Sequence, residues 1–269
     1  MGQSIQDFEK FVKEVYNSWK KVDLGYLEEQ KKKLERHRPL PEAALKSLEE
    51  KLEIDEVYNS TAIEGNTLTL GETSLVLTKG LTIGGKSLKD HLEVKSYDKA
   101  YQYLKSIYSK IDKIDEKIIL ELHRLVFADF TEELKTQLNH GIGIYRRQPV
   151  FIRGSSFVPS NYLKVPELME FLIIFLNSIK KDDLRKAILA HLGLATIHPF
   201  IDGNGRVARL LMNLILFRAG WPIIIVKKER RGDYLNSLEA IQKDSKDKQF
   251  LNLMLEFLQQ SFNLYKEIY

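Results

Sequence analysis

Twelve residues, HPFIDGNGRVAR from His198 to Arg209, hold an imidazole, a carboxylate, two glycines around an asparagine, and two arginines. These are the parts needed to handle a polyphosphate. Gly203 and Gly205 flank Asn204, so the loop can visit positive φ and turn successive backbone N–H groups into an anion nest. Arg206 opens the apolar run VARLLMNLILFRAG, which reads as a buried helix ended by Gly220 and Pro222. Its unpaired first-turn N–H groups and the positive end of its dipole add to the same anion site. Arg206 and Arg209, three apart, are expected to project from one face towards the loop, where their forks suit phosphate oxygens. Asp202 is a hard oxygen ligand of the kind Mg²⁺ takes when it bridges phosphates. His198, neutral near pH 7, suits a general base for a hydroxyl nucleophile. Each part has a plainer reading: a turn, a loop histidine, a helix cap, a solvated face. Their concentration at the head of one apolar helix favours a site.

The same twelve residues resemble the signature of the Fic family, HxFx(D/E)GNGRxxR, and meet it at every defined position. The resemblance implies a mainly α Fic fold, a helical bundle with a short β-hairpin flap over the active site. It implies a nucleotidyltransferase that moves AMP from ATP to a hydroxyl side chain (Ser, Thr or Tyr) of a target protein. In that scheme His198 deprotonates the hydroxyl, Asp202 binds Mg²⁺ or Mn²⁺, and Gly203, Asn204 and Gly205 cradle the phosphates. Arg206 would hold the α/β-phosphate region and Arg209 the γ-phosphate. Asn213 resembles a family position near the nucleotide, and Tyr234 one lining the adenine pocket. Two alternatives stand beside this: phosphotransfer of the Doc type, which has Lys where this chain has Gly205, and a non-catalytic nucleotide-sensing interaction module.

Far upstream, YNSTAIEGNTLTL (Tyr58 to Leu70) reads on its own as a helix end, with Gly65 as a positive-φ stop and Glu64 a solvated charge. Beside a Fic core it resembles the family's inhibitory motif, (S/T)xxxE(G/N), met by Ser60, Glu64 and Gly65. It lies N-terminal to the core, as in one class of the family. The implied role is a salt bridge from Glu64 to Arg209, occupying the arginine meant for the γ-phosphate. A charge-assisted hydrogen bond contributes about 1.5–3 kcal/mol, roughly ten- to a hundredfold in an equilibrium. That is enough to misplace a triphosphate. IEGNTLTL, GKSL and AGWP extend the resemblance, over about residues 57–265, to the metazoan branch of the endoplasmic reticulum, which adds AMP to a resident chaperone and removes it. Removal of AMP, with Glu64 positioning water, is therefore implied as a second activity. That branch's membrane anchor and TPR repeats have no counterpart expected here, and Leu235 stands where it has a second tyrosine.

The elements that must position these residues read as helices near 5–20, 23–37, 42–64, 71–79, 87–109, 115–128, 163–180, 183–197, 206–219, 231–243 and 248–267. Two divisions are expected. Residues 1–85 form an N-terminal helical region with the inhibitory helix (about 42–65), and 86–269 a Fic domain with the flap (about 141–160) and the catalytic loop (198–209). The flap segment, GIGIYRRQPVFIRGSSFVPS, reads as a β-hairpin turning at Gly154. In the family it resembles the element that holds the target as an added strand, with Val150, Phe151 and Ile152 as the clamp. His191 reads as a buried core histidine rather than a zinc ligand, because no third ligand has suitable spacing. His37, His91, His123 and His140 carry no constellation.

Composition narrows the partners. Forty-one basic residues against 37 acidic ones leave a net charge of +4, too balanced to imply nucleic acid. With no cysteine, neither a disulfide nor a thiolate site can form. MGQSIQDFEKF places charges where a signal peptide needs an apolar core, so a cytoplasmic location without membrane association is expected. A homodimer is left open, since no patch identifies an interface.

Overall fold

The computed structural model describes residues 4–136 and 141–268, so His140 lies outside the described residues. Along them run α1 (Ile5–Trp19), α2 (Gly25–Arg36), α3 (Glu42–Ile63), α4 (Leu70–Lys79), α5 (Leu88–Ile107), α6 (Glu116–Leu125), α7 (Glu132–Thr136), α8 (Val165–Ser178), α9 (Asp183–Ile197), α10 (Asn204–Arg218), α11 (Arg231–Lys243) and α12 (Gln249–Lys266). Hydrophobic periodicity locates all of these except the single turn α7. The consequential difference in boundary is α10, which begins at Asn204 rather than Arg206.

α9 and α10 are buried almost all round. A helix with no polar face belongs at the centre of a bundle, and the short loop 198–203 makes these two antiparallel neighbours. α3, α5 and α6 lie against α10, while α1 and α8 lie against α9. Phe8 of α1 meets Phe171 of α8 edge-on at 6.1 Å, and Trp19 stacks on Phe250 of α12. One apolar cluster contains residues from both sides of position 85. Among the described residues no helix is long and apolar enough to cross a membrane.

The end of α3 is set by its own sequence. Glu64 is the C-cap and Gly65 follows at φ +108°. Gly65 N–H bonds Ala62 O and Asn66 N–H bonds Thr61 O, the paired bonds of a Schellman ending. The chain leaves the helix sharply there, with Glu64 at its tip.

The expected hairpin over 141–160 does not form: no strand is present among the described residues. Its backbone bonds go elsewhere. The guanidinium of Arg146, 3% exposed, takes the carbonyls of His198, Gln148 and Ser160. Pro149 and Pro159 have no N–H to give to a ladder. At the tip, Gly154 turns at φ +78°, and Ser155 and Ser156 donate to Glu239 on α11. The segment is a strap fastened to the body, not a ribbon paired with itself.

Gly193 of α9 faces Leu172 of α8 so closely that a Cβ there would lie 2.5 Å from Leu172 Cδ1. Gly193→Ala should cost about 1–3 kcal/mol by overpacking, measured by urea denaturation. Gly193→Ala with Leu172→Ala should lose less than the sum of the single losses. Strict additivity would contradict this close packing.

Candidate active site at the head of the central helix pair

The loop between α9 and α10 is held from several sides. His198 ends α9 in the left-handed region at φ +54°, with its N–H on Leu194 O. A side chain pays strain for that conformation, and the body fixes it: Arg146 Nε donates to His198 O at 2.8 Å, and Arg146 N–H to Pro199 O. Asn204 then reaches back, exchanging two 2.9 Å bonds with the backbone of Phe200. Both ends of its carboxamide are thus engaged within the loop, and its backbone N–H opens the first turn of α10. Phe200 in turn stacks on His123 with ring centroids 3.7 Å apart. His123 Nε2 bonds Asp202 O, and its Nδ1 accepts Gly143 N–H. His123 is therefore a strut joining loop and strap, a role its sequence neighbourhood did not suggest.

Only one of the two loop glycines takes positive φ. Gly203 is the N-cap of α10 at +79°, whereas Gly205 is helical. The missing side chain of Gly205 provides space instead. A Cβ there would collide with Glu64 Oε1 and lie 3.1 Å from Arg209 Nη1. The N–H groups of Asn204, Gly205 and Arg206 form the open first turn of the helix.

The two arginines do not lie as solvated arms. Arg209, 1% exposed at its side chain, donates through Nε to Ser60 Oγ at 2.6 Å and through Nη2 to Ser60 O and Glu64 Oε1, both at 2.8 Å. Arg206 donates to Glu93 at 2.7 Å and, more loosely, to Asp202 at 3.3 Å. Burial disfavours both cations, but Glu64 for Arg209 and Glu93 with Asp202 for Arg206 outweigh it and hold them charged. Burial likewise pushes the Asp202 carboxyl up, while Arg206 and the Gly203 N–H pull it below the usual range. Arg206 Nε and Arg209 Nη1 are buried without a hydrogen-bond partner.

A cleft of about 140 Å³ opens beside this array, with Glu64, His198 and Gly205 on one wall and Tyr234, Leu235 and Glu239 on another. Ile152 reaches it from the strap, but Val150 and Phe151 line a separate groove with Val158, and Phe151 is 82% exposed. Tyr234 is buried, with its hydroxyl 2.9 Å from His191 Nε2. His191 is buried in the core, as expected from the sequence. Asn213 does not reach the cleft. It is fully buried and exchanges bonds with the backbone of Ile224, pinning that segment to α10.

Beyond His123, the sequence reading missed Glu93, Arg146 and Glu56. Glu56 lies buried beside Tyr97, whose hydroxyl donates to it at 2.7 Å, and burial pushes its carboxyl up to about 7. For Glu93 a signal existed: it falls on the same α5 stripe as Tyr97, Ala100 and Leu104, a carboxylate among core positions.

Burial, more than any neighbour, depresses His198 to about 4. A base with a lowered pKa stays neutral further into acid. The ring with Nδ1 towards Ala195 O, 3.4 Å away, leaves Nε2 free to accept a proton. The His198 ring signals in an NMR titration should therefore stay constant from pH 8 to about pH 5. A midpoint near the ordinary value of about 6.5 would contradict this environment.

Comparison with known proteins agrees with this geometry. Residues 113–216 match the Fic/DOC family. The chain is 34% identical over 226 residues to the protein adenylyltransferase Fic of Drosophila grimshawi, covering 83% of this chain and 45% of that protein. It is 40% identical over 191 residues to protein adenylyltransferase fic-1 of Caenorhabditis elegans, covering 68% of this chain and 35% of that one. The chain thus spans less than half the length of these curated relatives. Among solved structures, Fic-1 (residues 134–508) from C. elegans superposes with a TM-score of 0.73 at 29% identity, covering 98% of this chain and 72% of that one. A Fic domain containing signaling protein from Bacteroides thetaiotaomicron superposes at 0.72 and 27% identity, covering 96% and 99%. Signature loop, helical architecture and relatives agree, and the chain belongs to the Fic/DOC family.

Proposed function

We propose that this chain is a protein adenylyltransferase, moving AMP from ATP to a hydroxyl side chain of a target protein, and that Glu64 holds it in check. One geometry carries the proposal: His198 and Glu64, the latter paired with Arg209, face one cleft at the open N-terminus of α10. His198 Nε2 takes the target hydroxyl's proton as that oxygen bonds to the α-phosphorus. The bond from the α-phosphorus to the bridging oxygen breaks, and pyrophosphate leaves. The first-turn N–H groups of Asn204 and Gly205 suit phosphate oxygens, with Gly203 turning the chain into the helix. Arg206 lies beside the α/β-phosphates. Arg209, once released by Glu64, grips the γ-phosphate with a guanidinium whose Nη1 is otherwise unpartnered.

Asp202 is 51% exposed at its side chain and is the carboxylate available to a hard cation. Among the described residues no group of three or more His, Cys, Asp or Glu forms a metal cage. Mg²⁺, or Mn²⁺, can be held by one carboxylate with water and phosphate oxygens, and would neutralise phosphate charge there. Tyr234 and Leu235 offer flat and apolar surface for adenine. The strap groove, lined by Val150 and the exposed Phe151, is the surface proposed for the target. The named Drosophila and C. elegans relatives, both protein adenylyltransferases, support the reaction class.

A second activity has its own observation. Glu64 is 37% exposed in the cleft that also holds His198, so the carboxylate that blocks transfer can also orient water for removal of AMP.

Glu64→Gly should raise AMP incorporation by about tenfold or more, and Glu64→Gly with His198→Ala should abolish it. The readout is intact mass, a gain of one AMP, with label from α- but not γ-labelled ATP. Equal incorporation by wild type and Glu64→Gly would sink the latch. Transfer of the γ-label would mean phosphotransfer, and no label at all an interaction module. AMP removal should be lost in Glu64→Gly, and retention would refute a role for Glu64 in that step.

A further inference from the structure

Glu93 engages both of its oxygens. Oε1 accepts from Arg206 Nη1 at 2.7 Å, and Oε2 accepts from Asn66 Nδ2 at 2.9 Å. Glu93 and Arg206 are 8% and 2% exposed at their side chains, whereas Asp202 is half exposed and lies 3.3 Å from Arg206. The guanidinium thus stands between two carboxylates and closes on the buried one. Its face lies over Phe127, 4.7 Å from the ring centroid. Asn66, two residues past Glu64, also donates to Asp90 O and accepts Leu68 N–H. The base of the Glu64 turn is therefore tied to the carboxylate that holds Arg206.

We propose that Glu93 is a positioning residue that draws Arg206 away from Asp202 and so keeps the Asp202 charge available for a cation on the phosphates. This rests on the roles given above to Asp202 and Arg206. Among the described residues the ion-pair partners of Arg206 are Glu93 and Asp202. A buried cation stripped of one partner closes on the other, because standing unpaired costs far more. A guanidinium fork can take both oxygens of a carboxylate at once. Without Glu93, then, Arg206 neutralises the very group that should meet the metal. The second oxygen adds a link: whatever disturbs Glu93 loosens the anchored base of the inhibitory turn as well.

The test is calorimetric titration of ATP, with and without Mg²⁺, into the Glu64→Gly protein and into Glu64→Gly with Glu93→Gln. Mg²⁺ should tighten ATP binding in the first, and Glu93→Gln should remove about tenfold or more of that tightening. On an Arg206→Met background Glu93→Gln should add nothing further, an outcome that a merely structural loss would not give. A crystal structure of the Glu93→Gln protein should show Arg206 bonded to Asp202. An unmoved Arg206, or the same Mg²⁺-dependent tightening before and after Glu93→Gln, overturns the proposal. If the Glu64→Gly protein takes up no ATP, the assigned function fails instead, and the position of Arg206 still decides the role of Glu93.

Discussion

Arg209 is a cation sealed inside the molecule, and such a charge must be answered within the fold. Ser60 and Glu64 answer it, one from the last turn of α3 and the other from its C-cap, far from Arg209 in sequence. That single requirement explains several features at once. α3 turns buried all round as it nears its end. Gly65 stops the helix so that Glu64 sits at the tip, and Gly205 lacks the Cβ that would exclude the Glu64 carboxylate. On the proposed reading, the same cation later receives a γ-phosphate. Arg209 then serves two anions that cannot be present together.

The other charges follow the same rule. Arg206 is shared by Glu93 and Asp202, and Arg146 is held by three backbone carbonyls. Each places a strong donor where neutral side chains would leave the loop free to relax. The left-handed His198, the Asn204 clasp on Phe200 and the His123 strut complete the frame. The His198 imidazole and an open helix N-terminus are thereby fixed before any ligand arrives, which is what preorganised sites require.

Much of this was legible in the residues. Helix periodicity located the elements, the spacing of HPFIDGNGRVAR pointed to an imidazole beside an anion turn, and the resemblance of STAIEG to the family's inhibitory motif implied the Glu64–Arg209 pair. Three things were not legible. The strap is not a hairpin: Arg146 takes the carbonyls of Gln148 and Ser160, and Glu239 takes the hydroxyls of Ser155 and Ser156, contacts that alternation in sequence cannot reveal. Asn204 and Asn213 are occupied by backbone, a distinction that rests on tertiary approach rather than residue type. Glu93 shares the core stripe of α5, which hints at burial, but only the fold shows that its partner is Arg206.

The central claim is that Glu64 and a γ-phosphate compete for Arg209. The most direct measurement is the ratio of ATP to ADP dissociation constants, by calorimetry, in wild type and in Glu64→Gly. The prediction is that the extra phosphate gains little in wild type and about tenfold or more in Glu64→Gly. That gain should vanish when Arg209→Met is added. The same ATP-to-ADP ratio with and without Glu64 would contradict the competition.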